Sequence, residues 1–241
     1  MIFDQAEFDL RCEWGEQGVT QLAPISDVVI IVDVLSFSTC VEIATNNGAI
    51  IFPYQWKDES ASNYAKLMNA QLASKERKSN DGYSLSPASM INIPAETRVI
   101  LPSPNGASLT LRTGQTPTLT GCFRNCKAIA DFAQNYGQKI AVIPAGERWE
   151  DGSLRPAFED LIGAGAILSY LDGKLSPEAE VARAAFHNMK NILTTLRKCG
   201  SGKELIARGF ATDIELAAAI NSSSCVPLFT DNAYIKQEAT Y

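Results

Sequence analysis

An aspartate, a serine and threonine group and two later carboxylates stand at places in this chain where chemistry is commonly done. Asp33 follows the apolar run Val28-Val29-Ile30-Ile31-Val32 and precedes Val34-Leu35-Ser36-Phe37-Ser38-Thr39. An acid just past the carboxyl end of a buried strand lies where open α/β sheets place their ligands. Ser36 and Thr39 suit the start of a helix, as caps or as part of an anion site, and capping would equally explain Asp33. A phosphatase that attacks through aspartate wants a second acid two residues on, and that position is Leu35. Pro102-Ser103-Pro104-Asn105-Gly106-Ala107-Ser108 follows a second apolar run. Its hydroxyl, amide and backbone N–H groups make either a phosphate cradle or an ordinary Asn-Gly turn.

Ala145-Gly146-Glu147 follows a third run, and Glu159-Asp160 opens a later apolar stretch with helical spacing. Acids in a first helical turn are favoured by the dipole alone. They are also candidate Mg²⁺ ligands, since that ion takes one or two carboxylates and leaves its other positions to water and phosphate. Asp33 joins Glu159 and Asp160 as a ligand if the strand ends lie side by side. Lys75-Glu76-Arg77-Lys78 reads as an anion clamp or as a solvated surface cluster, and Ser201-Gly202-Lys203 as a helix start.

Other chemistries lack their residues. The single histidine, His187, stands alone on a helical stretch, so a Ser-His-Asp or Cys-His mechanism has no constellation to rest on. Cys122 and Cys126 have no second Cys/His pair to complete a zinc site. Neither a Walker A sequence nor a dinucleotide fingerprint is present. The six cysteines are scattered over a chain large enough to fold without disulfides, which favours thiols in a reducing cytoplasm.

The elements that must position these residues follow from the hydrophobic pattern. Val28–Val32, Val99–Leu101 and Ile140–Ile143 are continuous apolar runs, as expected of strands covered on both faces, and 49–52 is a fourth candidate. Helices are predicted over 58–73, 126–136, 158–171, from Pro177 to about Lys198, 203–208 and 213–219, with 80–94 as a loop. Gly163 and Gly165 would let the 158–171 helix pack closely on the sheet. Strands alternating with helices early, then a mostly helical tail after Gly173, predict a three-layer α/β/α fold with a mixed or mostly parallel sheet. Residues 1–241 read as one α/β domain with room for two lobes.

Composition narrows the partners. The chain has 241 residues, 46% of them apolar, and a net charge of −6. It is long enough to bury a full core and too acidic overall for nucleic acid or an anionic membrane surface to be an expected partner. The run Val28–Val32 is far too short to span a bilayer.

Four blocks in order resemble the 2-phosphosulfolactate phosphatase (ComB) family. They are Val29–Leu35 with Thr39, Glu76-Arg77 followed by Ser86-Pro87, Ser103–Gly106, and Ala145-Gly146 with Glu159-Asp160-Leu161 and Ala164-Gly165-Ala166. Asn125 and the tail from Gly209 and Asp213 to Pro227 also fit. The resemblance implies a ComB-like fold and Mg²⁺-dependent hydrolysis of a small anionic phosphate monoester, giving sulfolactate and phosphate. The chemistry of the residues, rather than the resemblance, assigns the individual roles: Asp33, Arg77, Asn105 and Glu159 as the catalytic set, with Asp33, Glu159 and Asp160 on the metal. Ser36, Thr39, Ser103, Gly106, Asn125 and Gly146 would contact substrate. A homodimer is compatible with this reading and is not specified by it. The sequence departs from the family pattern at Ser36 (usually Arg), Lys75 (Gly), Leu85 (Asn) and Ala107 (Thr). Those departures leave a second reading open, a divergent relative that binds an anionic metabolite or a protein partner without catalysis.

Overall fold

The computed structural model describes residues 4–55, 58–74, 76–77 and 82–237. Lys75, Lys78 and the first two residues of the expected 80–94 loop lie outside the described residues. The strands are β1 (Leu10–Cys12), β2 (Val28–Val32), β3 (Ile50–Tyr54), β4 (Gln71–Leu72), β5 (Arg98–Pro102), β6 (Thr118–Thr120), β7 (Ile140–Pro144), β8 (Glu147–Arg148), β9 (Leu154–Arg155), β10 (Pro227–Thr230) and β11 (Ala233–Lys236). The α-helices are α1 (Gly15–Leu22), α2 (Phe37–Asn46), α3 (Glu59–Leu67), α4 (Gly106–Thr110), α5 (Cys126–Tyr136), α6 (Phe158–Leu168), α7 (Pro177–His187), α8 (Ile192–Leu196), α9 (Gly200–Ala207) and α10 (Ala211–Ala217).

Among the described residues, nine strands form one sheet in the order β1-β7-β2-β6-β10-β11-β3-β5-β4. Two parallel blocks, β1-β7-β2-β6 and β3-β5-β4, are joined through the antiparallel hairpin β10–β11. This is the mostly parallel, three-layer α/β/α arrangement that the continuous apolar runs predict. Along β2 the alternate residues Val28, Ile30 and Val32 pack with α5 and α6, while Val29 and Ile31 pack with Val19 and Leu22 of α1 and Leu109 of α4. Both faces are apolar because both are covered.

Three antiparallel junctions separate β6 from β3, so a flat sheet would send the carboxyl ends of β2 and β5 to opposite edges. Instead the N–H of Gly106, four residues past β5, donates to Asp33, one residue past β2, at 2.9 Å. Five strand spacings of about 4.8 Å cannot be closed that way in a plane. The sheet is therefore strongly coiled between the two blocks, in keeping with a twist of roughly 20–25° per strand pair.

Several expected boundaries move. The predicted 58–73 helix ends at Leu67, because Asn69 takes a positive φ and Gln71–Leu72 then pairs with β5. Asp58 caps the start, its carboxylate accepting the Ser60 N–H at 3.0 Å. The long helix expected from Pro177 to Lys198 breaks after His187 into α7 and α8, since Asn191 turns extended to cap the second piece. The 80–94 loop contains a 3₁₀ turn at Pro87–Met90. The tail is not purely helical: β10 and β11 close the centre of the sheet, although their four-residue sequences, each ending in a polar residue, are too short to show a buried-strand run. Gly163 meets the sheet, where a Cβ would lie 2.5 Å from Val34. Gly165 instead meets α7, where a Cβ would lie 2.0 Å from the Ala182 carbonyl.

Candidate active site

Asp33 is 6% exposed, and the turn after β2 is built around it. Its N–H donates to Ser38 Oγ at 2.8 Å, and its carbonyl accepts the Ser38 N–H. Its carboxylate accepts the Gly106 N–H at 2.9 Å and, more weakly, the Phe37 N–H at 3.4 Å. Gly106 is required here, since a Cβ would fall 2.4 Å from the Phe37 ring. Close approach of this backbone is what ties the β5 turn to the end of β2. Beyond that turn, Asn105 Nδ2 donates to Glu147 Oε2 at 2.9 Å, and the Asn105 N–H donates to Ser103 Oγ at 3.2 Å.

Asp33, Ser36, Arg77, Ser103, Asn105 and Glu147 share one open cleft of roughly 270 Å³, with Leu85 and the α9 residues Ser201, Glu204 and Leu205 on its walls together with Arg208. Burial pushes the Asp33 carboxyl up to about 7, and the neighbouring Glu147 carboxylate adds to the rise against the two backbone N–H groups. Burial also raises Glu147, while Asn105 and Arg155 oppose that rise. Two carboxylates thus share the cleft with Arg77 and Arg208.

Arg77 reaches this cleft from the segment before the 3₁₀ turn. Its Nη1 pairs with Asp213 at 2.7 Å, and its Nη2 donates to Ser36 Oγ and to the Leu35 carbonyl. Asp213 is 1% exposed and also accepts from Ser86 Oγ at 2.6 Å and the Ala88 N–H at 3.2 Å. The arginine is thereby fixed in orientation, with its charge balanced from behind.

Other expected site residues have different surroundings. Asp160 is buried, with one carboxylate oxygen accepting the Val34 N–H at 2.8 Å and the other the Gly146 N–H at 2.9 Å. It clamps the ends of β2 and β7 together, and burial, then Asp33 and Glu159, hold its carboxyl well above the usual range. Gly146 has a φ of +71° and donates to that clamp. Glu159 lines an adjoining cavity with Arg155, Lys198 and Cys199. Thr39 is fully buried and its Oγ1 donates to the Val34 carbonyl at 2.7 Å. Asn125 is fully buried, accepting the Cys122 N–H at 2.9 Å and donating to the Cys225 carbonyl at 3.0 Å. Thr39 and Asn125 therefore brace backbone and do not line the cleft.

Glu147, Asp213, Ser201 and Arg208 were not singled out as site residues by sequence reasoning. Glu147 had a signal, its place right after a strand end, whereas a buried acid on a short helix such as Asp213 has none. Ser201, Glu204, Leu205 and Arg208 share one face by their i, i+3, i+4, i+7 spacing, which is usable only once α9 is known to border the cleft. The six cysteines are unpaired thiols, and burial raises Cys126 and Cys225 to about 11.

A profile of the family described as 2-phosphosulpholactate phosphatase matches residues 17–232, which include every residue of this cleft. The chain belongs to that family. It is a family of phosphoric monoester hydrolases. A relative named 2-phosphosulfolactate phosphatase, from Methanothermobacter thermautotrophicus, is 26% identical over 212 residues, covering 86% of this chain and 88% of the relative. Relatives named probable 2-phosphosulfolactate phosphatase include one from Pseudothermotoga lettingae, 27% identical over 89% of this chain and 95% of its own. Another, from Carboxydothermus hydrogenoformans, is 30% identical over 83% and 84%. No helix among the described residues is long and apolar enough to cross a membrane.

Proposed function

We propose that this protein hydrolyses 2-phosphosulfolactate to sulfolactate and phosphate, with Mg²⁺, in the cleft at the ends of β2, β5 and β7. The observation that carries the reading is the convergence of Asp33, Glu147, Asn105 and Arg77 on one cleft from four separate segments. Among the described residues no group of three or more His, Cys, Asp or Glu is placed to hold a metal ion. Mg²⁺ does not need three, because water and a substrate phosphate fill most of its octahedron. The pair Asp33 and Glu147 suits it: both are oxygen donors lining one cleft, and Glu147 raises the cost of ionising Asp33, a cost that a cation would relieve. Asp160 does not line the cleft and Glu159 faces the adjoining cavity, whereas Asp33 and Glu147 both line it, so the reading moves the ion from those two acids to Asp33 and Glu147.

When bound, the ion supplies positive charge to the phosphoryl oxygens and a water of lowered pKa. The protein's own groups do the rest. Asn105 Nδ2 and the Arg77 guanidinium offer donors to the phosphoryl group, and the bonds to Glu147 and Asp213 hold them in place before substrate arrives. Hydrolysis forms one P–O bond from water and breaks the ester P–O bond, and the departing alcohol oxygen takes a proton. The departures at Ser36 and Ala107 do not empty the site. Arg77 occupies the space beside Ser36, and Ala107 is fully buried, away from the cleft. Six unpaired thiols support a cytoplasmic setting.

The test is phosphate release from 2-phosphosulfolactate and a panel of phospho-acids, with Mg²⁺ and with chelator. Chelator-sensitive turnover of the sulfonated ester is expected. Turnover of a different ester alone would keep the chemistry and replace the substrate, and silence across the panel would leave a non-catalytic anion binder.

A further inference from the structure

Beyond the phosphoryl end, the cleft carries a second feature. The Arg77 and Arg208 guanidinium carbons lie 5.6 and 5.8 Å from the centroid of the same ring, that of Phe210. Each guanidinium gains from the quadrupole of that ring, and both arginines line the cleft. The two arginines are not equivalent. Arg77 is 10% exposed and its charge is already balanced by buried Asp213. Arg208 is 51% exposed, and its partner is Glu204, one helical turn earlier and 62% exposed, at 2.9 Å. An exposed i,i+4 pair contributes little and is readily exchanged. Both members of that pair line the cleft.

We propose that Arg208 binds the sulfonate arm of the substrate, exchanging Glu204 for it, and so selects sulfonated phospho-acids over simple phosphate monoesters. The inference rests on the reading of the cleft given above. In that substrate the carboxylate is attached to the carbon that bears the phosphoester, whereas the sulfonate stands one carbon further out. The phosphoryl group and carboxylate then occupy the Asp33, Glu147 and Asn105 end. The sulfonate extends toward Arg208, where a delocalised guanidinium meets a delocalised anion. Glu204 acts as a stand-in anion that keeps Arg208 ordered until the substrate replaces it.

Calorimetric titration of the full chain in Mg²⁺ tests this, with inorganic phosphate, lactate and sulfolactate as separate probes. Arg208→Gln is expected to weaken sulfolactate at least tenfold more than it weakens phosphate or lactate, and Arg208→Lys to recover part of that loss. Glu204→Gln is expected to tighten sulfolactate severalfold, since it removes the competing carboxylate. In turnover, Arg208→Gln should raise KM for 2-phosphosulfolactate far more than it lowers kcat. Equal weakening of all three probes, or no tightening in Glu204→Gln, overturns the inference. Wild-type protein that binds phosphate but not sulfolactate overturns the inference and leaves a phosphatase of other esters. Wild-type protein that binds neither overturns the proposed function and the inference with it.

Discussion

Replacing Asp33 by Asn separates the cost of a buried charge from the use the protein makes of it. Folding raises this carboxyl from an ordinary value of 3.8 to about 7. Between those values the native state keeps the proton that the unfolded chain releases. The stability conferred by protonated Asp33 is therefore fully present below about pH 4 and is lost as pH rises through 7. A rise of about three pKa units corresponds to roughly 4 kcal/mol. The Asn variant carries no charge to penalise, but its side chain has one acceptor oxygen where Asp33 serves both Gly106 and Phe37. Leaving one buried donor unsatisfied costs about 1–3 kcal/mol. The two effects cross: in chelator, Asp33→Asn should be less stable than wild type by about 1–3 kcal/mol near pH 4. Near pH 8 the order reverses, with the variant more stable by a similar amount. Urea denaturation at both pH values measures the difference directly. Adding Mg²⁺ at pH 8 should stabilise wild type and not the variant, whose phosphatase activity should fall at least about tenfold, the scale of lost transition-state charge stabilisation. Parallel pH–stability curves for the two proteins would refute the argument that burial beside Glu147 sets the Asp33 titration. A variant with near-normal turnover would refute its place in the reaction.

Asp213→Ala should destabilise the protein by about 3–5 kcal/mol in chemical denaturation, because it strands the nearly buried Arg77 and the Ser86 hydroxyl without their acceptor. Activity in that variant should drop through a higher KM as Arg77 loses its fixed orientation. Gly106→Ala should cost about 1–3 kcal/mol and most of the activity, since its Cβ collides with the Phe37 ring and pushes the β5 turn off Asp33. Reaction with a thiol-specific disulfide reagent should label one site slowly in the native protein, Cys199, and six in denaturant, because the other five thiols are buried. Burial and Glu159 push Cys199 up to about 12, so its labelling rate should keep climbing with pH beyond the range where a free cysteine levels off.

The apolar runs Val28–Val32, Val99–Leu101 and Ile140–Ile143 announced three buried strands, since a continuous apolar run is what a strand covered on both faces requires. Among the residues just past those strands, Asp33 and Ser103 with Asn105 were legible as candidates from position alone, while Glu147, in an equivalent place, was not singled out as a site residue. Helix α5 was legible to the residue, since its amphipathic period is clean and it packs against one face of the sheet. The C-terminal hairpin was not: β10 and β11 are four residues each, Pro227-Leu228-Phe229-Thr230 and Ala233-Tyr234-Ile235-Lys236, too short and too interrupted by Pro, Thr and Lys to give the continuous apolar run that marks a central strand.

What the sequence determined by itself was local: which stretches must be strands or helices, and which acids, amides and hydroxyls stand at their ends. Tertiary structure alone decided which of those residues face one another. Asp160 has the same local setting as a metal ligand, yet it spends both oxygens on the backbone of β2 and β7. Asp213 carries no local mark, yet it anchors Arg77 from 136 positions away. Chain pattern encodes burial through periodicity, which neighbouring residues share. A polar side chain is assigned to its partner by the coiling of the sheet, which depends on contacts far apart in the chain and leaves no periodic trace.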